Sequence, residues 1–204
     1  MFAKDYRRLA WEKLSGNWGT VIVAYLLYAL ILGALSSTGV GGLLLGGPLT
    51  VGMAAVMLTL LRKGSTKIET LFDGLTTDFV SRMLAYILYS IYIALWSLLF
   101  FIPGIVKTYS YAMTFYIMRD NPGIGANEAI TRSRQMMDGH KWQLFCLHFS
   151  FIGWILLSIL TCGILVIWVA PYMEAANATF YESIKGEPQS AEFTETDNGG
   201  TQSL

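Results

Sequence analysis

Two charged side chains stand alone inside long apolar stretches of this 204-residue chain, Lys107 and Glu174. Each follows a proline: Lys107 comes four residues after Pro103, and Glu174 three after Pro171. A charge isolated in hydrocarbon costs at least a few kcal/mol, and a paired one costs less. The two are therefore expected to face each other as an intramembrane ion pair. In the alternative, Lys107 snorkels toward an interface while Glu174 meets water or a hydroxyl. Other chemistry-bearing residues do not form a reactive set. His140 and His148 are eight apart, and no carboxylate accompanies His148 in its apolar run. The glycine-rich stretch from Gly39 to Gly47 lacks the lysine that a phosphate-cradling loop needs. Neither a His-Glu-x-x-His pair nor a serine elbow is present. Cys146 and Cys162 lie in apolar runs without the spacing of a disulfide framework or zinc site. These features argue against an enzyme and imply no cofactor or metal.

The composition explains why two charges stand out. Hydrophobic residues make up 54% of the chain and charged ones 14%, against about a quarter charged in soluble domains. No charged residue occurs between Lys13 and Arg62, between Arg82 and Lys107, or between Lys141 and Glu174. Each gap holds one or two stretches of the roughly 20 apolar residues that cross a bilayer. Net charge is zero, so no field points to nucleic acid. The apolar run from Trp18 exceeds the roughly 7–15 residues of a signal-peptide core and reads as a retained span.

The expected fold is an all-α, polytopic membrane helical bundle. It has about six transmembrane helices arranged as three hairpins, each preceded by a short cytoplasmic amphipathic helix. The first amphipathic helix covers Phe2 to Ser15 and stops at Gly16-Asn17. The second opens on Thr66-Lys67-Ile68-Glu69, a capping-box pattern, and stops at Gly74. The third is capped by Asn127 and stops at Gly139. The spans run Trp18 to about Ser36, Gly47 to about Leu61, Met83 to Ile102, Ile105 to Met118, Trp142 to about Leu160 and Ile164 to about Tyr181. Gly39 to Gly47 reads as an outer turn or a broken helix. The membrane domain covers 1–185, and 186–204 is polar, acidic and expected to be disordered.

Lys and Arg cluster before Trp18, from Arg62 to Arg82, from Arg119 to Lys141, and at Lys185, whereas the opposite connections are uncharged. By the positive-inside rule both termini face the cytoplasm of an inner-membrane, multi-pass protein. One proline in each second arm (Pro48, Pro103, Pro171) and the glycine stops suggest a three-fold repeat. Lys107 and Glu174 lie 12 and 11 positions before Arg119 and Lys185, about 16–18 Å above the inner boundary at helical rise.

Trp96-Ser97-Leu98-Leu99, Ile102-Pro103-Gly104-Ile105 and Tyr109-Ser110-Tyr111, with Glu128-Ala129-Ile130, Ser133-Arg134 and Lys141, carry a resemblance. Phe151-Ile152-Gly153-Trp154, Gly163-Ile164 and Pro171-Tyr172 extend it. Over roughly Tyr6 to Glu182 the chain resembles a bacterial integral-membrane family known only as domain of unknown function 975. It is more distantly similar to the membrane region of some glycerophosphodiester phosphodiesterases. The resemblance carries no catalytic residue with it.

Two functions are expected from these features. One is a non-catalytic membrane module that organises lipid or a partner. Its cytoplasmic face of Arg132, Arg134 and Lys141, with Arg7 and Arg8, would contact anionic headgroups, a protein partner or a second copy. The other is a transporter or flippase-like protein for a small or amphiphilic substrate, because proline-interrupted spans mark midplane binding sites. A cavity reaching Lys107 and Glu174 favours transport, and a sealed core favours the module.

Overall fold

The amphipathic and apolar periodicities resolve into helices throughout the computed structural model, which describes residues 3–36, 40–76, 78–99, 101–161 and 163–185. The helices are α1 (Ala3–Leu14), α2 (Trp18–Ser36), α3 (Val40–Lys63), α4 (Asp73–Thr76), α5 (Phe79–Leu99), α6 (Phe101–Tyr111), α7 (Thr114–Asp120), α8 (Ala126–Met136), α9 (Lys141–Phe149), α10 (Ile152–Leu160) and α11 (Val166–Lys185), with a 3-10 turn at Ile68–Phe72 before α4. No strand occurs among the described residues. Gly16 and Gly139 follow α1 and α8 with φ of +90° and +79°, a conformation that glycine adopts without a Cβ penalty.

Among the described residues four stretches are long and apolar enough to cross a membrane: Trp18–Leu35, Gly41–Lys63, Phe79–Leu98 and Lys141–Leu160. The second is 72% buried inside the protein, while the first and third are 11% buried and the fourth 22%. The first arms therefore turn their apolar surface outward and α3 is central.

Around that centre the amphipathic segments follow one rule. Each packs on both arms of the hairpin before it. The 3-10 turn lies on α2 and α3 (α4 on α3), α8 lies on α5, α6 and α7, and α1 lies on α9 and α11. The first segment thus packs on the last helices of the chain. Three helices meet at the centre: α3 touches both α7 and α11, and Tyr116 of α7 stacks on Tyr181 of α11 with centroids 5.4 Å apart.

Several expectations about local structure are corrected. Gly39–Gly47 is not an outer turn from Val40 onward, because α3 already runs through it. Its glycines serve close packing instead: a Cβ on Gly47 would lie 2.0 Å from the Arg82 carbonyl oxygen, and one on Gly46 2.7 Å from the Tyr86 ring. Small residues allow such approach where apolar burial alone does not drive helices together. The Thr66–Glu69 capping box is not made. Lys67 takes the cap position with no side-chain bond, and a 3-10 turn follows. Gly74 does not stop a helix; it sits buried within α4, where a Cβ would meet the Pro48 carbonyl oxygen at 1.9 Å.

Asn127 does not cap α8, because Gly125 holds the extended cap geometry and Asn127 is already helical. The stretch expected as the fourth span divides into α6 and α7 around Ala112-Met113, and the fifth into α9 and α10 around Ser150-Phe151. Phe2, part of the turn from Ser36 to Gly42, Cys162 and 186–204 lie outside the described residues, as does the side chain of Pro103. The Pro103 backbone falls in the first turn of α6, where the missing N–H removes no helical bond.

Candidate functional site

Five helices each turn an i, i+3 or i+4 face toward one point inside the bundle. α3 contributes Thr50, Met53 and Ala54; α5 Tyr86 and Tyr89; α6 Ile105, Thr108 and Tyr109; α9 Leu144 and His148; α11 Glu174 and Asn177. α7 adds Phe115 and Tyr116, the break before it Ala112 and Met113, and α2 Tyr28. Together they enclose a cavity of about 530 Å³, within the range of small-molecule sites. Six aromatic rings line it, Glu174 is its only carboxylate, and no lysine or arginine reaches it.

The polar groups engage one another across helices. The Tyr116 hydroxyl donates to Glu174 Oε2 at 3.1 Å. His148 Nε2 lies 2.9 Å from Asn177 Oδ1, and its Nδ1 lies 3.4 Å from the Tyr109 hydroxyl. A neutral imidazole protonated on Nε2 satisfies both contacts, donating to the amide and accepting from the phenol. Tyr28 and Thr50 pair their hydroxyls at 3.4 Å, and Thr50 donates to the Gly46 carbonyl at 2.7 Å. The set is equipped to bind a polar or charged group. His148 faces an amide and a phenol rather than the nucleophile–base–orienter series of hydrolytic sites. Among the described residues no group of three His, Cys, Asp or Glu gathers as a metal would require.

Beneath the cavity a network of charged residues ties the second arms. Arg62 closing α3 and Lys185 closing α11 both reach Asp120, which ends α7. Arg62 also reaches Glu182 at 2.9 Å from Nε, and the Tyr181 hydroxyl donates to Asp120 at 3.0 Å. Burial by itself would raise the Asp120 carboxyl. The hydrogen bonds from Arg62 and Lys185 outweigh it and hold the group below the usual carboxylate range.

The expected Lys107–Glu174 ion pair is not formed. Lys107 Nζ lies 4.8 Å over the Trp96 ring, whereas Glu174 meets a hydroxyl, as the alternative anticipated. The reason is azimuth. Ile105, Thr108, Tyr109 and Ala112 share the cavity-facing side of α6 and its extension, so Lys107 and Tyr111 must point the other way. Tyr111 is buried against Tyr89 and Tyr92. A Cβ on Gly104 would meet the Ser97 hydroxyl at 2.7 Å and its Cα at 3.0 Å, so glycine lets α5 and α6 approach closely there. Pro171 is buried within α11. The Tyr172 hydroxyl donates to the Arg7 carbonyl at 3.0 Å and its ring packs on Trp11 and Phe151.

The expected basic face divides. Arg132 pairs with Glu128 at 2.8 Å and Lys141 with Asp138 at 3.3 Å, while Arg134 joins Lys107 at a second cavity. Arg7 turns inward, donating to the Ser150 carbonyl at 3.1 Å. From the sequence His148 was set aside, and Asn177, Thr50 and Tyr28 were not singled out. The i, i+3 spacing of Glu174 and Asn177 was the available signal, since it puts both on one face of α11.

A family model described as protein of unknown function (DUF975) matches residues 1–112 and 98–188. No curated protein and no solved structure matches the chain.

Proposed function

The chain belongs to the family described as protein of unknown function (DUF975), and from that premise we propose a multi-pass membrane protein that binds its substrate inside the bundle. In this reading six spans form three hairpins in an inner membrane, with both termini cytoplasmic. The protein is transporter or flippase-like rather than catalytic, and its substrate is small or amphiphilic with a positively charged group. The distant similarity to phosphodiesterase membrane regions belongs to the same proposal, without their hydrolytic chemistry.

One observation carries it: a central cavity of about 530 Å³ lined by six aromatic rings and the single carboxylate of Glu174. Glu174 accepts from the Tyr116 hydroxyl but has no cation among the described lining residues. A cationic ligand would complete its pairing, and aromatic faces attract organic cations. Glu174 follows Pro171 by three residues, within an α11 that runs unbroken through the proline. The module reading gains less, because Arg132 and Lys141 of its contact face are engaged with acidic neighbours.

The test uses the full chain in detergent with tetramethylammonium and choline as probes. Binding that raises the thermal midpoint of the wild type, and is lost in Glu174→Gln and in the cavity-filling Ala54→Trp, supports the reading. No shift with either probe, or the same shift in all three proteins, contradicts it.

A further inference from the structure

The opposite face of α6 builds a second site. Lys107 and Tyr111, one turn apart, look toward α8, which brings Arg134, Asn127 and Thr131 against Tyr92 and Trp96 of α5. These side chains line a separate cavity of about 230 Å³ that shares no residue with the central one.

Its charge is one-sided. Lys107 and Arg134 both line it and no carboxylate does. Among the described residues neither cation has an ion-pair partner, although Arg132, two residues away, is paired with Glu128. Lys107 is held over the Trp96 ring, which fixes its ammonium without neutralising it. Two like charges lining one small cavity repel, and an anion between them converts that repulsion into two attractions. The remaining lining suits an anion with several oxygens: the Asn127 amide and the hydroxyls of Thr131, Tyr92 and Tyr111 can all donate. An arginine fork beside a lysine point charge is a pairing that binds phosphate oxygens well.

We propose that this cavity binds a phosphate group, carried by an anionic lipid headgroup or free in solution. Asn127, Thr131 and Arg134 are exposed, so the group enters from the α8 side. The site is independent of the Glu174 cavity and stands whether or not that cavity binds a cation.

The experiment takes the full chain purified in phosphate-free detergent and reads thermal stabilisation. The probes are inorganic phosphate, short-chain phosphatidic acid and chain-matched diacylglycerol. Phosphatidic acid is expected to stabilise the protein and diacylglycerol not. Lys107→Gln and Arg134→Gln should each weaken apparent affinity about tenfold, and Arg132→Gln should leave it unchanged. Inorganic phosphate that also stabilises, and competes with the lipid, assigns the site to the phosphate group alone. Stabilisation by the lipid only assigns it to a headgroup with its chains. Arg134 is exposed, so Arg134→Gln keeps the test open should Lys107→Gln fail to fold. Stabilisation by diacylglycerol equal to that by phosphatidic acid, or wild-type affinity in both glutamine variants, overturns the site.

Discussion

Arg62 holds both carboxylate oxygens of Asp120, with Nη1 2.8 Å from Oδ1 and Nη2 2.7 Å from Oδ2. The Asp120 side chain is only 7% exposed, whereas Arg62 is 40% exposed, so screening reduces what the contact contributes. Asp120→Asn keeps the shape but removes the charge that Arg62, Lys185 and Tyr181 share. It should lower stability by about 1–3 kcal/mol, read as a drop in the thermal midpoint in detergent. Arg62→Lys should lose part of this, because an ammonium cannot grip two oxygens at once.

The same carboxyl sets a pH dependence. Its folded-state pKa lies below the ordinary value, which is about 3.9 for a free aspartate. A depressed carboxyl contributes stability that is complete above the unfolded pKa and is lost as pH falls through the folded one. Thermal midpoints of the wild type should therefore fall as pH drops from about 5 toward 3, and the fall should be smaller in Asp120→Asn. An equal fall in both proteins would remove Asp120 as the cause.

Gly52 and Gly74 mark where the segment after α3 folds back along it. A Cβ at Gly52 would lie 1.9 Å from the Leu71 carbonyl oxygen, and one at Gly74 1.9 Å from that of Pro48. Both neighbours are backbone and cannot step aside. Gly52→Ala and Gly74→Ala should each cost about 2 kcal/mol or more, while Gly19→Ala, with open space around it, should be neutral or slightly stabilising. Denaturation of the three variants side by side checks this.

Arg82 is 1% exposed and donates from Nη1 to the carbonyls of Asp73 and Gly74 at 3.0 and 2.7 Å. It closes the end of α4 from inside the protein. Arg82→Met should destabilise by about 2–3 kcal/mol by leaving those carbonyls without their donor. Faster proteolysis between Lys63 and Phe79 should accompany the loss.

Periodicity made the elements legible. The stops at Gly16 and Gly139 and the buried face of Ala129, Ile130 and Ser133 follow from local chemistry, which one sequence contains. What failed depended on partners distant in the chain. Gly74 reads as a stop from its neighbours but is required by Pro48, and Arg82 reads as a loop end but is buried by the turn it caps. Counting along a helix puts Lys107 and Glu174 at one height, yet height says nothing of which way a side chain faces. The pattern Ile105, Thr108, Tyr109, Ala112 contained that information, and it points Lys107 away from Glu174. His148 was set aside because its own span lacks a carboxylate, and its partners Asn177 and Tyr109 come from two other helices.

Reactivity of one cysteine tests the central cavity most directly. With Cys146 and Cys162 replaced by serine and alanine, Asn177→Cys places a thiol on the cavity wall, and Val56→Cys places one at a fully buried site of α3 outside it. In membrane vesicles a small, membrane-impermeant thiol reagent is expected to label Asn177→Cys from one side and to leave Val56→Cys unlabelled. Adding Ala54→Trp should abolish the labelling. An Asn177→Cys thiol as unreactive as Val56→Cys from both sides would mean a sealed core and would contradict a substrate site around Glu174.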